Sequence, residues 1–209
     1  MVGDSFQYFR ERGGVVFLSE SRFWERHGFV QQSLAYALAN EGVYVNWLDG
    51  IGARRAPPVQ PTFLDALSVK SVSKWPLTRF PIMHRLNVRW QLAHLELARQ
   101  RSESPSPLIW VQDGIHEDLA EKLPYIDVYS VFDDAMSHDP SHPLCQKARV
   151  VVTQNQWAYE RLSEKLGPKV IRLWPPHQMG KESSSLQEYS FPDGFPKRKM
   201  GYILSLIHI

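Results

Sequence analysis

Residues 108–153 read LIWVQDGIHEDLAEKLPYIDVYSVFDDAMSHDPSHPLCQKARVVVT. Three short apolar runs stand out: Leu108–Val111, Val128–Phe132 and Arg149–Thr153. Each is too short for a buried helix and each is bounded by breakers or polar residues, so each reads as a strand. Between the first two lies Glu117–Leu123, a short helical stretch stopped by Pro124, with Asp113 as a candidate cap. Between the second and third, Asp139-Pro140 is a helix-start signal with Pro at the first helical position. Strands alternating with helices imply βαβ units, and βαβ units imply a parallel sheet.

The pattern continues on both sides. Upstream, Gly13-Gly14 precedes the apolar run Val15–Leu18, and Val30, Leu34, Ala37 and Leu38 recur at helical spacing. Gly42 sits where a helix C′ residue belongs, and Val43–Leu48 reads as the next strand, ending at Asp49-Gly50. Residues 51–81 are rich in proline, with a short strand expected around Leu67–Ser73. Met83–Gln100 is the longest helix, with Leu86, Trp90, Ala93 and Leu97 marking one face, and Ser102–Pro107 is a loop. Downstream, Thr153 with Gln156 resembles a capping box for a helix ending at Leu166 before Gly167-Pro168. Val170–Leu173 is the last clear strand. The fold class is therefore α/β: a Rossmann-like open parallel sheet with helices on both faces.

Composition sets bounds on function. The chain has 209 residues, long for one ordinary domain and short for two. Lys plus Arg total 24 against 22 for Asp plus Glu, too even for nucleic-acid binding through bulk charge. The single cysteine, Cys145, excludes an internal disulfide and a Cys-rich zinc site and fits a reducing compartment. No apolar run reaches transmembrane length, and Met1–Arg12 has no signal-peptide core. A cytoplasmic protein is expected, with contact at the inner membrane face compatible.

Ligands of open parallel sheets bind at the carboxyl ends of the strands. That rule marks Ser19–Trp24, Asp49, Gln112–His116, Asp133-Asp134, Thr153–Gln156 and Pro175–His177. Within them, His116 is the best general-base candidate because imidazole titrates near neutrality, and its plain reading is an exposed or structural histidine. His177 carries a weaker form of the same argument. Asp113 is a cap or a catalytic carboxylate. Asp133 and Asp134 either cap a helix or hold a ligand hydroxyl; they lack an obvious third metal ligand. Arg22, Arg26 and His27 surround a helix start, where an anion could sit, although Glu20 and Glu25 dilute the charge. Phe23 and Trp24 are a platform for a sugar or lipid, or core. Trp90 and Trp157 read as core.

Familiar motifs are absent. There is no Walker A loop and no Gly-x-Ser-x-Gly elbow. His116-Glu117 starts like a zinc-protease helix, but Ala120 stands at the second histidine position. Gly50-Ile51-Gly52 is only a fragment of a dinucleotide fingerprint, which argues against an NAD-dependent oxidoreductase.

Val128-Tyr129-Ser130-Val131-Phe132-Asp133-Asp134 resembles the "vYdcvDD" segment of bacterial GT-B glycosyltransferases, similar to family-4 enzymes of surface-polysaccharide synthesis. Ala148–Asn155 with Tyr159–Leu162 resembles their "aDlVvatS..l.erl" segment, and Leu173–His177 their "lpnGvd" turn. Arg26–Leu48 resembles the first helix and second strand. Ser130, Arg149 and Pro176-His177 depart from the family pattern.

The resemblance implies one half of a GT-B fold. Residues 1–196 would form the N-terminal, acceptor-side domain, and 197–203 the start of a missing C-terminal donor-binding domain. It implies sugar transfer from a nucleotide-sugar to a sugar or lipid-linked acceptor hydroxyl, with no metal, no nucleic acid, and no cofactor in this piece. His116 or Asp113 would stand near the acceptor hydroxyl, and Asp133 or Asp134 would orient the site. Ser19, Glu20, Arg22, Phe23, Trp24 and His27 would contact the acceptor. The last six residues, Leu204–Ile209, correspond to CTG TCT CTT ATA CAC ATC, similar to a transposon adapter, and are expected to be a non-native tail. The alternative is a non-catalytic Rossmann-like binding module.

Overall fold

A computed structural model describes residues 7–19, 29–49, 65–72, 80–100, 106–112, 117–131 and 139–172. The chain starts with a short helix α1 (Gln7–Glu11) and strand β1 (Val15–Ser19), then helix α2 (Phe29–Asn40) and strands β2 (Val45–Asp49) and β3 (Leu67–Ser71). The 20-residue helix α3 (Pro81–Gln100) leads to β4 (Leu108–Gln112), α4 (Glu117–Lys122) and β5 (Ile126–Val131). Last come α5 (Pro143–Lys147), β6 (Ala148–Thr153), α6 (Gln156–Leu166), a 3₁₀ turn at Gly167–Lys169, and β7 (Val170–Arg172).

The strands form one sheet in the order β3-β2-β1-β4-β5-β6-β7, with every pair parallel. This is the α/β Rossmann-like architecture that the alternation predicts. All five residues of β1 and all five of β4 are buried, because helices cover both faces. On the first face, Phe9 of α1 and Leu34, Ala35, Leu38 and Ala39 of α2 pack against Phe17, Trp47 and Trp110. On the second face, α3 to α6 supply Val88, Leu95, Leu119, Leu144 and Leu162 against Val16, Leu18, Val111 and Tyr129. Right-handed crossovers explain the split. The chain steps one way from β1 to β3 and the opposite way from β4 to β7, so the connecting helices change face.

Glycines and cations make the connections. Gly42 has φ +72°, its N–H donates to the Ala39 carbonyl (3.0 Å), and the Val43 N–H donates to the Leu38 carbonyl (3.0 Å). This is a Schellman closure of α2, with Val43 packed in the same cluster as Leu38. Because the cap uses Val43, β2 begins at Val45 and not at Val43 as the sequence suggests. Lys147 Nζ donates to the Ala120 and Glu121 carbonyls in the last turn of α4. Lys169 Nζ donates to the Cys145, Gln146 and Ala148 carbonyls at the end of α5. Both place a cation at the negative end of a helix.

Four local expectations need correction. Helix α5 starts at Pro143, not Pro140: Asp139 Oδ1 accepts from the Ser141 N–H (2.9 Å) in a turn, and His142 is the N-cap. The N-cap of α6 is Asn155, whose Oδ1 accepts from the Trp157 N–H (2.9 Å); Thr153 Oγ1 accepts from Asn155 N–H instead. So Thr153 shapes the turn before the helix, and the expected capping box does not form. The stripe Leu86, Trp90, Ala93 and Leu97 faces outward, while Asn87, Val88, Gln91, His94, Leu95 and Ala98 face the sheet. Trp90 (42% exposed) and Trp157 (52%) are therefore not core residues. Helical period alone does not say which of two opposed stripes is inside; here α3 buries a mixed polar stripe and leaves the more apolar one outside.

Candidate functional site

The direction in which strands are added to the sheet reverses between β1 and β4, which are neighbours although β2 and β3 intervene in sequence. In open parallel sheets, ligands bind outside the carboxyl ends of the strands at such a switch point. The residues ending the strands there are polar. Ser19 is in register with Gln112, and Gln112 with Ser130. One residue deeper, the row is Leu18, Val111 and Tyr129. Thr153, at the end of β6, extends the polar edge. Side chains alternate along a strand, so Ser19, Gln112 and Ser130 share the face of Phe17, Trp110 and Val128.

An aromatic layer supports this row. The Phe17 ring lies 5.2 Å from the Trp47 ring and 5.4 Å from the Trp110 ring, centroid to centroid. Both contacts are tilted pairs of the kind that add to area burial. Trp110 Nε1 donates to Ser130 Oγ at 2.7 Å, which fixes the indole and satisfies the serine. Ser19 Oγ and Gln112 Oε1 have no such partner. Ser19 is 0% exposed and Gln112 1%, yet neither atom makes a hydrogen bond among the described residues. A buried polar atom without a partner costs about 1–3 kcal/mol. Two such atoms stand on residues in register at the switch point.

Of the residues to which the resemblance gives a site role, Ser19 is the one among those described, at the carboxyl end of β1; Asp49 and Thr153, marked by the strand-end rule, end β2 and β6. Glu20, Arg22, Phe23, Trp24, His27, Asp113, His116, Asp133 and Asp134 lie outside the described residues. The strands that precede them in sequence, β1, β4 and β5, are adjacent, so their carboxyl ends share one edge. Gln112 falls within a range that the strand-end rule marks, but its residue type alone gave it no role. Ser130 is missed as a site-edge residue; it reads only as a departure from the family segment. The signal for both is a polar residue at the carboxyl end of an otherwise apolar strand.

The opposite edge carries charge with a structural purpose. Asp127, 1% exposed, accepts from the Ile109 N–H (3.0 Å), and Arg12 and Arg149 each approach it at 3.6 Å. Burial pushes its pKa up, against the backbone hydrogen bond and the two arginines. Arg149, where the family pattern carries an acid, is thus matched by an acid on the adjacent strand. Burial also pushes the Cys145 thiol up to about 12, which favours the protonated thiol at neutral pH. Among the described residues, no group of three His, Cys, Asp or Glu side chains could hold a metal ion. Among them, too, no helix is long and apolar enough to cross a membrane. No protein-family model and no curated protein matches the chain.

Proposed function

We propose that the chain is the acceptor-side domain of a GT-B glycosyltransferase acting in surface-polysaccharide or glycoconjugate synthesis. The observation that carries the reading is the pair of buried, unpartnered groups, Ser19 Oγ and Gln112 Oε1, in register at the switch point. Both are neutral. Together they can donate and accept, which suits the hydroxyls of a sugar better than a phosphate. The aromatic layer beneath gives the row a rigid base, as a positioning site requires. The resemblance of residues 128–134 and 148–162 to the family supplies the reaction class.

In this reading the acceptor hydroxyl oxygen bonds the anomeric carbon of a nucleotide-sugar. The nucleoside diphosphate leaves with the electrons of the broken bond, and the hydroxyl proton passes to His116 or Asp113. Asp133 or Asp134 orients the acceptor, and the residues from Ser19 to His27 contact it. The donor phosphates need cationic or N–H donors from a second nucleotide-binding unit.

The test is a calorimetric titration of the chain with a panel of neutral oligosaccharides and nucleotide-sugars. A member of the saccharide panel should bind, Gln112→Leu should weaken it about tenfold or more while the fold is retained, and no nucleotide-sugar should be turned over. Tight nucleotide-sugar binding that depends on Gln112, with no saccharide binding, would assign this edge to the donor and sink the proposal.

A further inference from the structure

Among the described residues, the outer face of α3 is the largest apolar feature that the proposed site does not use. Ile82 (73% exposed), Leu86, Trp90, Ala93 and Leu97 lie along one exposed stripe. It runs about 22 Å at about 1.5 Å per residue. Trp90, at its middle, is held in place. Its ring centroid lies 4.3 Å from that of His94, whose Nδ1 is 2.9 Å from the Trp90 carbonyl oxygen. At about 100° per residue, the exposed residues Arg85, Arg89 and Glu96 all fall on one flank of the stripe. The other flank, at Asn87 and His94, turns in toward the sheet.

We infer that this face pairs with the same face of a second copy of the chain, the two α3 helices running antiparallel about a two-fold axis. The spacing carries the inference, because it reads the same from either end. When Ile82 of one copy faces Leu97 of the other, Leu86 faces Ala93 and Arg89 faces Trp90. The outer pairs are apolar and set a large side chain against a large or a small one. The central pair sets a guanidinium against an indole, which attracts it.

Charge fits the same register. A two-fold between antiparallel helices brings like flank against like flank in reversed order. Arg85 then lies two positions, about 3 Å along the axis, from the point opposite Glu96 of the other copy. An arginine side chain spans that offset, so two Arg85–Glu96 pairs close the two ends of the contact. Glu96 is 54% exposed even with Arg99 at 3.1 Å, which leaves it room for a second cation. Parallel helices would instead set the charged flank against the side where Asn87 and His94 are already buried. Helix α3 returns from the carboxyl end of β3 to the amino end of β4, so antiparallel pairing points the two carboxyl edges in opposite directions. The pairing rests on α3 alone and not on the sugar-transfer reading.

The experiment is sedimentation equilibrium of the full chain over a wide concentration range. One helix pair is a small interface, so a reversible monomer–dimer equilibrium with a micromolar dissociation constant is expected. Leu86→Gln with Leu97→Gln should weaken it about 100-fold, since two side chains per copy lose their apolar contact. Glu96→Arg should weaken it about tenfold, and adding Arg85→Glu to that variant should restore the parent constant. All three variants change exposed side chains and should keep the parent circular dichroism. A chain that stays monomeric throughout, or a dimer unchanged by the leucine variant or by Glu96→Arg, would overturn the inference. So would a dimer that Glu96→Arg weakens and Arg85→Glu fails to restore, because the antiparallel register requires the rescue. A monomer that sediments with phosphatidylglycerol vesicles through this face would also overturn it, by giving the face to a membrane. Because no saccharide is present, failure of the sugar-transfer reading leaves this result unaffected.

Discussion

Two side chains carry the functional argument, and they oppose stability. Ser19 Oγ and Gln112 Oε1 are buried without partners among the described residues, which costs free energy in the fold. Ser19→Ala should therefore raise stability by about 1 kcal/mol in chemical denaturation, because it removes an unsatisfied group without leaving a large void. A loss of similar size would mean the hydroxyl has a structural partner and is not held ready for a ligand. Asp127 makes the contrasting case. Its folded pKa lies above the ordinary 3.8, because desolvation outweighs Ile109, Arg12 and Arg149. The folded state thus favours the protonated carboxyl. That contribution is full below the unfolded value and is lost as pH rises through the folded one. Asp127→Asn should remove it, so the variant's stability relative to the parent should rise with pH from about 3.8 upward. Denaturation midpoints across that window check the sign; a parent that gains on the variant with rising pH would contradict it.

At the scale of elements, two glycines with left-handed backbone differ in what surrounds them. A Cβ on Gly14 (φ +106°) would lie 2.1 Å from the Tyr44 carbonyl oxygen, which accepts from the Val15 N–H at 2.8 Å. The clash is with backbone that holds β1 to β2. Gly14→Ala should cost about 3 kcal/mol or more, adding steric overlap to the φ penalty. At Gly42 nothing lies within 4 Å, so Gly42→Ala should cost only about 1 kcal/mol. Equal costs in thermal melts would show that φ alone decides.

The elements were legible in the sequence to different degrees. The strands could be read because those buried on both faces are continuous apolar runs, as Val15–Leu18 and Leu108–Val111 are. Caps were less legible, since Thr153 and Asn155 are both good capping residues and only backbone geometry chooses Asn155. The inward face of α3 could not be read at all. It buries Asn87, Gln91 and His94, with His94 Nδ1 2.9 Å from the Trp90 carbonyl, and leaves the more regular apolar stripe outside.

At the scale of the molecule, the alternation of strands and helices gave the parallel sheet, but not the strand order. The order depends on where the chain reverses, and nothing local to β3 or α3 encodes that β4 will pair with β1. Once β1 and β4 are neighbours, the strand-end residues Ser19 and Gln112 stand in register, although 93 positions separate them. In the proposed function this carboxyl edge receives the saccharide. The most direct measurement follows backbone amide signals while an oligosaccharide is titrated in. Saturable shifts are expected at Ser19, Gln112 and Ser130, with none at Arg12, Asp127 or Arg149 on the opposite edge. Shifts confined to that opposite edge or to the outer face of α3, with Ser19 and Gln112 unmoved, would contradict it.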